Sequence, residues 1–266
     1  MNLTMRPAFP TLLSLLAGLA LLAALAGCTQ TNIEDELRQG LAKAKDGDYA
    51  GALEHTDRCL RISPNSVNAL LLHGFCLYSQ PSAGGATRAS AFRHLEQATK
   101  LAPDRFDVWY FYGWSLYENG MSHEAIKPLE KALSMCDPQS RHYGAILMML
   151  GRCCVHNNIQ TKALRYLQPL RVREPYRKWP ETYNALGMLA VQRGEYQEAI
   201  KSFAEAFKLD RQDPAILQNI AVTCDMYLNQ PQVAKRYYEQ TLERLPAKEV
   251  ILRQLIQNRL EKLNRK

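Results

Sequence analysis

The sequence predicts an all-α protein in which about six helix-turn-helix units stack into a solenoid, with one further helix capping the end. Three observations predict this fold class. A small residue recurs every 34 to 39 residues and is followed by an alanine 12 to 17 residues later. Apolar residues on both sides of each pair recur at i, i+3, i+4 and i+7, which is the pattern of amphipathic helices. Turn-forming residues such as Asn119-Gly120 separate the two members of most pairs.

Length and composition allow a substantial core. The chain has 266 residues, is 47% hydrophobic and contains few glycines or prolines, so it fits one extended domain or two compact ones. The net charge is +7, which solvated basic faces explain; contact with anionic lipid or an acidic partner is the alternative. The basic residues crowd at Arg171, Arg173, Arg177 and Lys178, and at Arg253, Arg259, Lys262, Arg265 and Lys266.

The N-terminus has the pattern of an export signal. A short polar lead precedes an apolar run from Thr11 to Ala26, which is too short for a comfortable membrane span. The run ends in Leu25-Ala26-Gly27-Cys28, which resembles the lipobox of bacterial lipoproteins. The resemblance implies that residues 1–27 are a signal peptide that is removed and that Cys28 carries the lipid. An ordinary secretory signal with a chance cysteine is the alternative.

The residues after the lipobox imply a location. Thr29 and not aspartate follows Cys28, and in a Gram-negative cell the lipoprotein sorting rule then implies the outer membrane, on its periplasmic face. Residues 28–32 are expected to form the lipid anchor and a short linker. No nucleic-acid partner is expected for an exported, lipid-anchored protein.

Six pairs of small residues define the repeat. The first members are Gly40, Gly74, Gly113, Gly151, Gly187 and Ala221, and the second members are Ala52, Ala91, Ala125, Ala163, Ala199 and Ala234. We expect the two members to face each other so that the helix backbones approach closely. Such a helical pair cannot bury its apolar face alone and must stack on copies of itself.

The third and fifth units resemble the tetratricopeptide repeat, whose pattern is W-x2-L-G-x2-Y followed by A-x3-F and a proline. The matching residues are Trp109, Tyr112, Gly113, Leu116, Ala125 and Leu129 in the third unit and Tyr183, Leu186, Gly187, Gly194, Tyr196, Ala199, Phe203 and Ala206 in the fifth. The resemblance implies a right-handed α-solenoid with a concave groove. Six units cover residues 33–248, with the bounds 33–66, 67–105, 106–139, 144–177, 180–213 and 214–248.

Two segments depart from this repeat. The second unit carries extra residues within SQPSAGGATRAS, a loop that we expect to be flexible. The segment 249–266 has apolar residues on one side and charges on the other, so we expect a helix that caps the last apolar face of the stack. The same stripe would also suit a partner-binding helix.

The aromatic stretch DVWYFYGWSLYENG has more rings than one helix face can use. Trp109, Tyr112 and Leu116 share the stripe that packs on the second helix of the unit, whereas Tyr110 and Trp114 lie on a second stripe. In tetratricopeptide repeats this second stripe lines the concave groove. Carried along the chain, it predicts a groove of Leu71, Phe75, Tyr78, Tyr110, Trp114, Tyr117, Met148, Arg152, His156, Asn184 and Met188.

Two interpretations of these groove residues remain open. So many exposed rings would exceed the apolar patch that monomers usually leave uncovered, which favours a partner peptide lying on them. Alternatively, neighbouring repeats close over the rings and make them ordinary core.

The remaining chemistry-bearing residues form no catalytic or metal-binding motif. The cysteines after Cys28 show no CxxC or Cys/His spacing, so we expect small buried residues and no metal. A disulfide between Cys59 and Cys76 is a further hypothesis. There is no G-x-S-x-G, H-E-x-x-H or phosphate-loop sequence, so we expect neither an enzyme, a cofactor nor a small-molecule substrate.

The sequence therefore predicts a membrane-anchored adaptor that binds envelope proteins in its groove and positions them for assembly. Its architecture resembles that of the pilotins of type IV pilus systems, which escort secretin subunits to the outer membrane. A self-associating structural scaffold is a hypothesis of a different class.

Overall fold

The computed structural model describes residues 28–80 and 84–264. The described residues form thirteen α-helices and one short 3-10 helix and contain no β-strand, so the predicted all-α fold class is confirmed. The predicted signal peptide 1–27 and the side chain of Cys28 lie outside the described residues, as does part of the expected loop in the second repeat.

The helices follow one another with short connections. They are α1 (Cys28–Lys45), α2 (Tyr49–Ile62), α3 (Val67–Ser79), α4 (Gly85–Leu101), α5 (Phe106–Glu118), α6 (Ser122–Met135), α7 (Arg141–His156), α8 (Gln160–Val172), α9 (Pro180–Gln192), α10 (Tyr196–Leu209), α11 (Pro214–Met226), α12 (Pro231–Arg244) and α13 (Val250–Asn264), with the 3-10 helix at Tyr176–Lys178. Helix α1 begins at Cys28, so the expected linker 28–32 forms its first turns.

The chain divides into two compact bodies within α7, one that ends at Leu150 and one that begins at Gly151. In the first body α1 packs on α2, α3 on α4 and α5 on α6, and α2 and α4 also contact the first helix of the next repeat. In the second body the same pattern holds for the pairs α9 with α10 and α11 with α12. Each body is thus built from stacked pairs of helices.

Local sequence signals set the helix ends. Asp48 caps α2 by accepting a hydrogen bond from the backbone N–H of Gly51 at 2.9 Å, and Ser66 caps α3 in the same way. Gly47 and Gly120 have φ angles of +80° and +75° in the turns within their repeats. Glycine reaches this left-handed region without steric cost, so the turn residues allow each chain reversal.

The glycines of the repeat pairs leave room for a large side chain on the facing helix. A Cβ at Gly113 would lie 2.7 Å from Cγ of Leu129, and one at Gly187 would lie 2.4 Å from Cε1 of Phe203. Each of these neighbours is the residue four positions after the alanine, since one helical turn places that side chain beside it. The alanine itself is fully buried in every repeat. At Gly74 the backbone oxygen of Ala91 lies 3.1 Å from the Cβ position, so the expected close approach of the pair is found there. The glycine in addition accommodates a large side chain on the facing helix.

Helix α13 packs on the core of the second body, but only part of its predicted apolar stripe contacts that core. Ile256 is buried there, and Leu252, Leu260 and Leu263 pack against the same cluster. By contrast Val250, Ile251 and Leu255 are exposed, with 67%, 80% and 61% of their surface accessible. The apolar residues of this helix thus occupy two faces, of which one covers the core.

The six cysteines within the described side chains are buried and form no disulfide with one another, and Cys59 and Cys76 are among them. The structure therefore does not form the hypothesised disulfide between those two residues. Burial raises the pKa of the Cys59 thiol to about 11 and that of the Cys76 thiol to about 12. Both thiols fill space in the core as small apolar groups.

Candidate functional site

Most of the predicted groove residues in the first body are buried. Leu71 and Phe75 on α3, Tyr110 and Trp114 on α5, and Met148 on α7 each have at most 3% of their surface exposed. Tyr78 and Tyr117, one turn further along α3 and α5, are partly exposed. The structure thus buries most of the predicted residues of the first body and leaves the ends of the stripes on α3 and α5 partly accessible.

The rings of α3 and α5 bury one another. The ring of Trp114 lies 5.8 Å from that of Phe75 and 4.8 Å, edge to face, from that of Tyr78. Phe111 completes the group at 6.0 Å from Phe75, and Tyr110 stacks on Phe106 at 5.7 Å. We call Phe75, Tyr78, Tyr110, Phe111 and Trp114 the ring cluster. Centroid distances in this range favour aromatic pairs beyond the area that they bury.

The ring cluster corrects the expectation of an exposed aromatic wall. Phe75 and Trp114 pack between the second and third repeats, whereas Tyr110 packs on Phe106 and on His142 of α7. These rings are core, which was the alternative that the sequence left open. The physical reason is that the same stripe of two successive first helices is aromatic, so the rings meet across the repeat boundary. A helical wheel shows one helix only and does not show this contact.

The ring cluster contains two polar groups, the indole N–H of Trp114 and the hydroxyl of Tyr78. Nε1 of Trp114 is buried and has no hydrogen-bond acceptor in the part of the chain that the structure describes. A buried donor without an acceptor costs about 1–3 kcal/mol. Burial also raises the pKa of Tyr78 to about 12, so its hydroxyl stays neutral and able to donate.

Tyr78 forms the accessible edge of the ring cluster. One side of its ring contacts Trp114, and the guanidinium of Arg88 on α4 lies 5.6 Å from its centroid. Arg88 is exposed. An aromatic ring beside an exposed arginine presents both apolar surface and hydrogen-bond donors, which is the composition of binding hot spots.

The predicted groove residues of the second body form a more polar and more open stripe. Arg152, Asn184 and Met188 are partly exposed and His156 is exposed. Oδ1 of Asn184 accepts a hydrogen bond from Nδ2 of Asn219 on α11 at 2.8 Å. Asn219 was missed by the sequence analysis, because the stripe was not carried into the sixth repeat. The two amides and Arg152 offer donors and acceptors but no reactive group.

Structural contacts account for part of the basic charge. On α13, Arg259 binds Asp225 through two hydrogen bonds of 2.6 Å, and Arg253 donates to the backbone carbonyls of Leu245 and Pro246. Arg177 pairs with Glu174 beside the 3-10 helix. These contacts favour structural roles for the three arginines.

Residues 28–80 and 84–264 show neither a metal-binding cluster nor a membrane-spanning helix. No group of three or more His, Cys, Asp or Glu side chains is placed to hold a metal ion there. None of the helices in that part of the chain combines the length and the apolar character needed to cross a membrane.

Family comparisons define the class of repeat. Residues 180–213 and 88–141 match two models of the tetratricopeptide repeat. The first range coincides with the fifth unit, and the second includes the third. The chain thus contains tetratricopeptide repeats, as its sequence pattern indicated.

Several solved structures have a similar fold. PilW, described as a widely conserved type IV pilus biogenesis factor, aligns with a TM-score of 0.66 and 18% identity over 85% of this chain and 97% of its own. PilF of Pseudomonas aeruginosa aligns with a TM-score of 0.64 and 19% identity over 88% of this chain and all of its own. YrrB, a tetratricopeptide-repeat protein with an unusual peptide-binding site, aligns with a TM-score of 0.52 and 20% identity over 72% of this chain and 93% of its own. At these identities the similarity shows the fold.

Curated relatives are longer proteins. Intraflagellar transport protein 70A of Danio rerio is 26% identical over 75% of this chain, and mitochondrial import receptor subunit TOM70 of Homo sapiens is 24% identical over 70%. The chain spans 28% and 30% of their respective lengths.

Proposed function

We propose that this protein is a membrane-anchored adaptor that binds a segment of an envelope protein on the first body. The observation that carries the proposal is the accessible edge of the ring cluster, where Tyr78 lies between Trp114 and Arg88. The partner segment contacts Tyr78 and Tyr117, the two tyrosines of the predicted groove that stay partly exposed. Aromatic residues and arginine are the side chains most enriched at binding hot spots.

The partner on this surface is an apolar segment with a free main-chain carbonyl. None of the predicted groove residues of the first body is charged, so an apolar segment can cover them without burying a charge of their own. Arg88 beside Tyr78 is exposed, so its guanidinium can stay in water at the edge of the surface. The unpartnered Nε1 of Trp114 is a donor that a carbonyl oxygen would satisfy after a small opening of the ring cluster. An extended segment or the last turn of a helix provides such an oxygen.

Tetratricopeptide repeats and similar structures support an adaptor. YrrB is described as carrying a peptide-binding site, and PilW as a type IV pilus biogenesis factor. Assistance to the assembly of a type IV pilus secretin, in the manner of a pilotin, is therefore the specific form of the proposal. An adaptor role without catalysis is consistent with both comparisons.

Site-specific photocrosslinking in intact cells tests the binding surface. A photoreactive aromatic residue replaces Tyr78, and a matched probe replaces Lys201 on α10, whose exposed side chain pairs with Glu198 of the same helix. We expect the probe at Tyr78 to capture one discrete envelope protein that the probe at Lys201 does not. Equal capture by both probes, or capture by neither, would contradict binding at the ring cluster.

The lipid anchor at Cys28 and the outer-membrane location are part of the proposal. Their support is the lipobox-like sequence Leu25-Ala26-Gly27-Cys28 and the following Thr29. Metabolic labelling with a radioactive fatty acid should label the native chain and not the Cys28→Ser variant, and density-gradient fractionation should place the labelled chain with outer-membrane vesicles. An unlabelled native chain would leave the secretory signal as the explanation.

A self-associating scaffold is a second candidate, favoured by the exposed apolar face of α13. Val250, Ile251 and Leu255 are the most exposed large apolar residues of that helix, and exposed apolar patches mark interaction sites. Light scattering over a concentration series distinguishes the candidates. A scaffold would lose a concentration-dependent oligomer in the double variant Ile251→Glu, Leu255→Glu, whereas an adaptor acting through Tyr78 would show the same mass before and after the substitutions.

A further inference from the structure

A pair of histidines lies where three helices of the first body meet. His73 on α3 is buried, and its ring centroid lies 4.7 Å from that of His94 on α4. On α2, Oγ1 of Thr56 lies 2.8 Å and Oδ1 of Asp57 lies 3.7 Å from Nδ1 of His73. Because α2 belongs to the first repeat and α3 and α4 to the second, this ring sits at the contact between the two repeats.

The hydrogen bonds of the two rings determine where protons bind. Nδ1 of His94 lies 2.8 Å from the carbonyl oxygen of Ser90. A carbonyl only accepts, so this nitrogen carries the hydrogen of that bond. The hydroxyl of Thr56 either donates to or accepts from Nδ1 of His73, since it also has the backbone carbonyl of Ala52 within reach at 3.2 Å. The Thr56 bond therefore survives protonation, and the change on acidification is one of charge.

The surroundings of His73 oppose a positive charge. Burial lowers the pKa of His73 to about 4, with a contribution in the same direction from His94 and an opposing one from Asp57. Asp57 is exposed, so water screens its attraction. On α1 the nearby carboxylate of Glu36 is engaged by His55 and Arg58 and is not directed to His73.

We propose that His73 and His94 form an acid-sensitive contact between the first and second repeats. When both rings carry protons, two like charges lie 4.7 Å apart at a site where His73 is shielded from water. The contact of α2 with α3 then weakens, and α1 and α2 are held less firmly to the rest of the first body. This behaviour is separate from partner binding and does not depend on the proposed adaptor function.

Hydrogen exchange of the full chain at about pH 7 and about pH 4.5, corrected for intrinsic rates, tests the proposal. In the native chain, acidification should reduce the protection of α1 and α2 about tenfold more than that of α5 and α6. His73→Phe, which removes the titrating ring and keeps an apolar ring of similar size, should abolish this difference. His156→Gln changes an exposed histidine of the second body and should leave it unchanged.

Two results would overturn the proposal. One is an equal loss of protection in all helices of the first body on acidification. The other is the same selective loss in the His73→Phe variant as in the native chain. If His73→Phe is already less protected at neutral pH, His94→Gln provides the test, because it removes the neighbouring charge from a partly exposed position; an unchanged selective loss in that variant also contradicts the proposal.

Discussion

Arg259 on α13 forms a bidentate salt bridge with the buried carboxylate of Asp225 on α11. Nε and Nη2 of Arg259 donate to the two carboxylate oxygens at 2.6 Å each. The hydroxyl of Tyr238 on α12 donates to Oδ2 of Asp225 at 3.2 Å. Only 3% of the Asp225 side chain is exposed, so one buried carboxylate joins three helices of the second body.

Removing Arg259 should destabilise the second body. Arg259→Ala removes the two charge-assisted hydrogen bonds to the buried carboxylate of Asp225, and breaking a buried ion pair in this way costs about 3–5 kcal/mol. Since Arg259 is partly exposed, we expect the lower part of that range. Urea unfolding followed by circular dichroism measures the loss, and hydrogen exchange should show it first in α13.

A matched surface pair provides the control for Arg259. Lys201 and Glu198 are 3.1 Å apart with both side chains exposed, so Lys201→Ala should change stability by less than about 1 kcal/mol. Equal losses of unfolding free energy in the two variants would contradict the prediction that the buried ion pair stabilises the protein more than the exposed one.

Adding a methyl group at Gly187 should destabilise the fifth repeat. The new Cβ would lie 2.4 Å from Cε1 of Phe203, and overpacking of this kind costs about 1–3 kcal/mol. We expect Gly187→Ala to lower the thermal midpoint and Phe203→Leu to restore part of the loss in the double variant. Gly85→Ala is the control, because no atom lies within 4 Å of its Cβ position. A neutral Gly187→Ala would contradict the close contact between α9 and α10.

Stability should fall on acidification through His73. In the folded chain the pKa of His73 is lowered from 6.5 to about 4 by burial, so the unfolded chain binds the proton first. The stabilising contribution is complete above about pH 6.5 and is lost progressively as the pH falls towards about 4, to a maximum of about 3 kcal/mol. The difference in urea midpoint between about pH 7 and about pH 4.5 should therefore be smaller in His73→Phe than in the native chain, with other groups titrating equally in both.

The buried cysteines should be unreactive in the folded protein. Burial raises the pKa of Cys76 and Cys153 to about 12, so almost no thiolate is present at neutral pH. A thiol reagent should label Cys59, Cys76, Cys136, Cys153, Cys154 and Cys224 only as the chain unfolds. Full denaturant should then release all of these thiols without a reductant, and a shortfall of two that a reductant corrects would demonstrate a disulfide.

Periodicity in the sequence by itself determined the helices and their pairing. The recurrence of Gly113, Gly187 and their equivalents, with turn residues such as Gly120 between the helices, placed the units close to where the helical pairs lie. This succeeds because helix formation, caps and turns depend on residues close in the chain. The resemblance of the third and fifth units to the tetratricopeptide repeat is confirmed by the family models that match residues 88–141 and 180–213.

Only the tertiary structure decided which side chains are exposed. Trp114 and Phe75 share a stripe that the sequence assigned to a groove, yet their rings lie 5.8 Å apart and are buried. Ile251 and Ile256 belong to one predicted apolar stripe, yet one is exposed and the other is core. A helical wheel gives the direction of a side chain from its own axis, whereas burial depends on how close residues from distant repeats approach, and that distance is set by the packing of whole helices.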